Sequence, residues 1–207
     1  EADASVGSDP SELALRRLAE AWAAEVKASA LSPLEAGEVA PKAGWFLPCV
    51  AGEPVARLPW SAATAGGVLG AIRTGGVLPT ARARNAAVLL LCLSTERIFV
   101  VAEELQRAWK TKPAILAAHG GGRKKDQVAR QAKALAEGAA LAVGTPGRVL
   151  RLLSEGHMEV EGLQVVAVDL AVDRKQRNVL TLPETRRDFF ALLRQHLVRG
   201  LGSAKGH

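Results

Sequence analysis

Tyrosine is missing from the 207 residues, and only four Phe and four Trp supply aromatic rings. Recognition of splayed bases by stacking needs a row of such rings, so a nucleic-acid partner, if there is one, is expected to be held by its backbone. Cysteine is as scarce, with Cys49 and Cys92 the two present. They exclude a disulfide framework and point to a reducing, intracellular compartment; Cys92, inside the apolar run Val88 to Leu93, reads as a small buried hydrophobe. No apolar run approaches the roughly 18 residues that span a bilayer. Glu1 to Pro10 carries no basic head and apolar core of a secretory signal, so a soluble protein with no membrane partner is expected. His119, His157, His196 and His207 lack metal spacing with Cys or acids. Gly-x-Ser-x-Gly and Gly-x-Gly-x-x-Gly turns are absent as well, which argues against a nucleophile elbow and a dinucleotide site. Neither a cofactor nor a small-molecule substrate is expected.

What the chain does have is positive charge in a particular place. Residues 1 to 40 hold eight acids and three bases, a net of −5, so the overall +6 leaves +11 on the remainder. A basic body behind an acidic leader points to a polyanion as partner, nucleic acid foremost.

Asp9-Pro10-Ser11-Glu12 reads as a helix start, and Leu15, Leu18, Trp22 and Val26 follow at helical spacing. From Ser32 to Pro59 prolines 33, 41, 48, 54 and 59 are too closely spaced for regular structure, and Trp45, Phe46 and Trp60 are expected to pin this segment to a core. Ser61 onward, with Val68, Leu69 and Ile72, predicts a short helix ending near Gly75-Gly76. The expected division is an N-terminal helix and irregular packing segment over 1–60, one main lobe over 61–200 and a tail over 201–207.

From residue 86 strand-like and helix-like runs alternate, which predicts an α/β fold: a parallel sheet with helices on both faces. The strands are read at 87–93, 114–118, 139–143 and 163–168. The helices between them carry Ile98, Val101, Leu105 and Ala108, then Val128, Ala132 and Leu135, then Val149, Leu152 and Leu153. Thr181-Leu182-Pro183-Glu184 reads as a capping box before a last helix with Phe189, Leu192, Leu193 and Leu197 on one face.

Ligands of such a sheet bind beyond the carboxyl ends of its strands. The four strand ends carry Ser94-Thr95-Glu96-Arg97, His119-Gly120-Gly121-Gly122, Thr145-Pro146-Gly147-Arg148 and Asp169. In the third, Thr145 can cap and Pro146 can start a helix, so free N–H groups at the helix end and the forked donor of Arg148 suit a phosphate. This order resembles the first RecA-like lobe of DEAD-box RNA helicases, over about residues 86 to 175. Thr-Pro-Gly-Arg is intact, whereas Glu96 and Arg97 stand in reverse order to the helicase motif. The nucleotide machinery is eroded. The frame Gly70 to Gly75 is followed by Gly76 and Val77 where a P-loop has Lys and a hydroxyl, and Asp169-Leu-Ala-Val-Asp173 stands where helicases have Asp-Glu-Ala-Asp. Asp169 is expected to have a capping or salt-bridging role among Arg174, Lys175 and Arg177. A purely residue-based reading leaves three possibilities open: a nucleic-acid clamp, a protein-binding scaffold with a vestigial RNA face, and an ATP-dependent helicase-like enzyme completed by a partner.

The degenerate lobe, followed by Asp173-Arg-Lys175-Gln-Arg177 and by Leu182-Pro183-Glu184-x-Arg186-x-x-Phe189, looks like the Cms-type family of small-ribosomal-subunit assembly factors. That resemblance implies a pseudo-helicase rather than an enzyme, a nucleolar or nuclear location, and pre-rRNA and small-subunit processome proteins as partners. The long charged N-terminal extension of that family is not seen in this sequence. The residues expected against the RNA backbone are Thr95, Arg97, Gly121, Gly122, Thr145, Gly147 and Arg148, with Arg123, Lys124 and Lys125 as basic support.

Overall fold

A computed structural model describes residues 10–38, 40–41, 86–118 and 124–198. The expected helix after Ser61, the aromatic residues 45, 46 and 60, Cys49, and Gly121, Gly122 and Arg123 lie outside the described residues.

Among the described residues four strands make one all-parallel sheet: β1 (Ala86–Leu91), β2 (Ala114–Leu116), β3 (Ala139–Gly144) and β4 (Val165–Val168), in the order β2-β3-β1-β4. β1 is central, pairing Val88 with Leu141 on one side and with Val165 on the other, and every one of its residues is buried. Burial on both faces is why it reads as a continuous apolar run. Its alternate side chains enter two different cores. Val88, Leu90 and Cys92 pack with Leu141 and Val143 beneath Ile98, Val101 and Leu105 of α3 (Thr95–Trp109). Leu89 and Leu91 face the opposite way, with Ala142, toward the remaining helices. These include α1 (Pro10–Ala28), α4 (Lys124–Ala136), α5 (Pro146–Ser154) and α6 (Pro183–Leu192), the last continuing into a π turn over Leu193–Leu197. Helices therefore cover both faces. Burial pushes the Cys92 thiol far above its usual range, as befits a residue used as a hydrophobe.

The N-terminal helix belongs to the same core. Trp22 is 6% exposed and meets Phe190 of α6 with ring centroids 4.8 Å apart. Beside it Glu25 accepts from Arg186 at 3.1 Å, an ion pair whose side chains are 6% and 14% exposed.

Local chemistry corrects two expectations. The stretch from Ser32 is not irregular throughout: α2 (Pro33–Glu38) follows Ser32, whose backbone N–H donates to the Glu35 carboxylate at 3.0 Å while its hydroxyl accepts from the Glu35 N–H at 3.4 Å. This is a capping box with Pro in the first helical position, and Ser-Pro-x-Glu announced it despite the nearby prolines. At α6 the reverse holds. The N-cap is Leu182 with no side-chain bond, because the Thr181 hydroxyl is spent accepting from the Asn178 N–H at 2.8 Å.

Candidate nucleic-acid interface

The carboxyl ends of the four strands are tied into one row. Cys92 donates to the Gly144 carbonyl at 2.9 Å, Asp169 to Leu91 at 2.8 Å, and Thr145 to Leu116 at 3.4 Å. Thr95, Arg97, Thr145, Gly147, Arg148 and Asp169 consequently stand along one edge of the sheet.

At the first strand end, Ser94 is the N-cap of α3, its hydroxyl accepting from the Arg97 N–H at 3.3 Å. The Thr95 hydroxyl donates to the Ala118 carbonyl at 3.0 Å, stitching this helix to the chain leaving β2. Arg97 reaches across to Asp169, its Nε donating to one carboxylate oxygen at 2.6 Å and its second nitrogen to the other at 3.4 Å. Asp169 is 5% exposed and also accepts from the Ala171 N–H at 3.0 Å. The expected capping role is present in that bond to Ala171, whereas the expected ion pair with the downstream basic cluster is corrected. Arg97 takes that role because the two residues follow neighbouring strands, whereas Arg177 pairs with Asp173 at 2.7 Å.

At the third strand end Gly144 lets the chain pass close to β2, since a Cβ there would lie 2.9 Å from the Leu116 Cβ and 3.0 Å from its carbonyl oxygen. Thr145 occupies the N-cap position of α5 with extended backbone (φ −88°, ψ 149°), and Pro146 opens the helix. The Thr145 hydroxyl, however, makes no capping bond, which corrects its expected role. Its carbonyl accepts from both the Arg148 and Val149 N–H groups, at 3.1 and 3.0 Å. Pro146 has no N–H, so of the first three helical residues only Gly147 keeps a backbone donor without a bond. A Cβ on Gly147 would come within 2.4 Å of an Asp188 carboxylate oxygen. A carboxylate from α6 therefore already faces the positive end of α5, an arrangement that nothing in the local sequence announces. Burial raises the Asp188 carboxyl above its usual range, with neighbouring Arg187 opposing.

Arg148 is 8% exposed, and its Nη1 is buried without a hydrogen-bond partner. Burial, then the like charge of Arg151, pulls this guanidinium below its ordinary range, while Glu155 opposes the shift. An unpartnered buried charged donor is costly, and an acceptor brought from outside would relieve that cost. Lys124 and Lys125 stand in the first turn of α4. Among the described residues no group of three His, Cys, Asp or Glu could hold a metal ion, and no helix is long and apolar enough to cross a membrane.

Residues 78–204 match the family model described as "CMS1: U3-containing 90S pre-ribosomal complex subunit", which is more than half of the chain. Protein CMSS1 of Danio rerio is 36% identical over 75 residues, a stretch that is 35% of this chain and 26% of that protein. The match spans about a quarter of that relative's length.

Proposed function

This chain belongs to the CMS1 family of U3-containing 90S pre-ribosomal complex subunits, and on that footing we propose that it is a non-catalytic assembly factor of the small ribosomal subunit. A single RecA-like lobe, its nucleotide motifs worn away, holds the backbone of pre-rRNA and binds proteins of the small-subunit processome in the nucleolus. The observation that carries the RNA part is Arg148: a buried guanidinium with an unused donor, in the first turn of a helix on the carboxyl edge of a parallel sheet. A phosphate oxygen is an acceptor of the right charge for it. Thr95 and Arg97 act as positioning residues, fixing the neighbouring turn through Ala118 and Asp169.

A second reading, a protein scaffold with a vestigial RNA face, draws on the same contacts: the Thr95 hydroxyl and the Arg97 guanidinium are already spent inside the fold. Arg148→Met and Arg148→Lys separate the two readings. Methionine fills the buried volume without an unsatisfied charge, so the melting temperature should hold or rise. Affinity for two unrelated RNAs should fall by a similar factor, because phosphate contacts do not read bases. The logarithmic salt slope for a single strand should become shallower by up to about 0.7, and Lys, lacking the planar fork, should restore only part of the affinity. Filter binding at several salt concentrations measures all three. Unchanged affinity and slope in a folded Arg148→Met variant would favour the scaffold.

A further inference from the structure

The chain leaving β4 builds a multiply bonded turn whose tip has no side-chain partner among the described residues. Asp173 organises it. Its carboxylate accepts from the Lys175 N–H at 2.8 Å, the Arg177 N–H at 2.9 Å, and the Arg177 guanidinium at 2.9 and 2.7 Å. The Asp173 N–H in turn donates to the Arg177 carbonyl at 2.8 Å, and Gln176 donates to the Asp173 carbonyl at 3.0 Å. Gln176 is held at φ 59°, the left-handed region that a residue with a Cβ seldom adopts. Asn178 closes the far side, its Oδ1 accepting from the Leu180 and Thr181 N–H groups at 2.9 and 3.1 Å. The hydrogen bonds to Arg177 and to the two backbone donors hold the Asp173 carboxyl down at about 2, so the clasp stays charged at any physiological pH.

The clasp neutralises Arg177 but leaves the two residues it frames exposed. Arg174 and Lys175 face solvent, and no acid among the described residues pairs with either. The turn is rooted in the carboxyl edge, because Asp169, which opens it, is bonded to Arg97 at the start of α3. Two cations with no acidic partner among the described residues are thus carried on a strained, multiply bonded loop beyond β4, on the same edge that carries Arg148 beyond β3. A loop that served only to return the chain to α6 has no need of an ordered cationic tip. We infer that Arg174 and Lys175 form a second contact for the RNA backbone, preorganised by Asp173, so that one strand is held beyond β4 as well as beyond β3. The inference rests on the RNA-binding reading of that edge.

Charge alone and preorganised charge make opposite predictions for Asp173. Removing its carboxylate by Asp173→Ala raises the net charge by one, which would tighten a diffuse electrostatic attraction; if the clasp matters, RNA binding weakens instead. Binding of the full chain to two unrelated single-stranded RNAs is to be measured by filter retention across a salt series, with melting temperatures as the control for folding. Arg174→Ala/Lys175→Ala, at exposed positions, should melt like the parent, bind about tenfold more weakly, and lose up to about 1.4 from the logarithmic salt slope, roughly 0.7 for each phosphate released. Asp173→Ala should bind at least about threefold more weakly despite its added charge. Parental affinity and slope in the double variant overturn the inference, as does an Asp173→Ala variant that binds as tightly as the parent or more so. Should the double variant keep its RNA affinity and lose binding to polyglutamate, the loop is an acidic-peptide site and the inference also falls. If the parent binds no RNA, both readings fall together. If Arg148 variants bind normally while the loop variants do not, only the Arg148 reading is lost.

Discussion

Arg148, Gly147 and Asp188 show how far residue identity carries. That a Thr-Pro-Gly-Arg turn joins a buried strand to a helix was legible, since each of the four residues has a stereochemical preference that fits its place. That Arg148 is buried, and that a carboxylate from α6 leans on Gly147, depends on contacts between distant parts of the chain, for which local spacing carries no signal. The carboxylate has a measurable consequence. Because the Asp188 carboxyl is raised in the fold, the folded state holds that proton more tightly than the unfolded chain does. Its contribution is fully present below the ordinary carboxylate range, near 3.9, and is lost as pH rises through the folded value. Asp188→Asn, which cannot ionise, should therefore stabilise the protein at pH 7, with the gain shrinking as pH is lowered toward 4. Urea unfolding at the two pH values tests this, and an equal effect at both would exclude ionisation as the cause.

Among the elements, periodicity served best where a face is continuously buried. The stripes of α3 and α5 and the apolar run of β1 all matched their cores. Two strands were read too long: 87–93 ends at Leu91 and 163–168 begins at Val165, because apolar Cys92, Leu93 and Leu163 lie beyond the last paired residues. α1 shows what pattern cannot supply. Leu18, Trp22 and Val26 identify a face without saying what covers it, and the structure gives α6. Trp22→Asp removes an aromatic contact and buries a charge, so it should cost at least about 3 kcal/mol and lower the melting temperature accordingly. Calorimetric unfolding of the two proteins gives the number. A change below about 1 kcal/mol would mean that α1 is not part of the cooperative unit.

For the molecule as a whole, alternation of strand and helix predicted a parallel sheet, but the order β2-β3-β1-β4 emerges only from pairing. That order sets β1 next to β4 and so brings Arg97 within reach of Asp169. A carboxylate held by a guanidinium is poorly free to bind a magnesium ion, and the sequence offers no P-loop lysine for the phosphates. Titration calorimetry with ATP and magnesium should accordingly show no saturable heat at physiological concentrations, and turnover should not exceed background. Micromolar, magnesium-dependent binding would end the pseudo-helicase interpretation.

The docking of α1 on α6 also sets a timetable for synthesis. Glu25 and Arg186 lie 161 residues apart, and at roughly 5–20 residues per second that separation takes on the order of ten to thirty seconds to translate. For about that long after it emerges from the ribosome, the Trp22 face has no covering helix to pack on. The sheet waits in the same way, because central β1 is made before either strand that flanks it. This fold therefore closes late and from its carboxyl-terminal end, and until then the nascent chain carries an apolar helix face with nothing of its own to cover it.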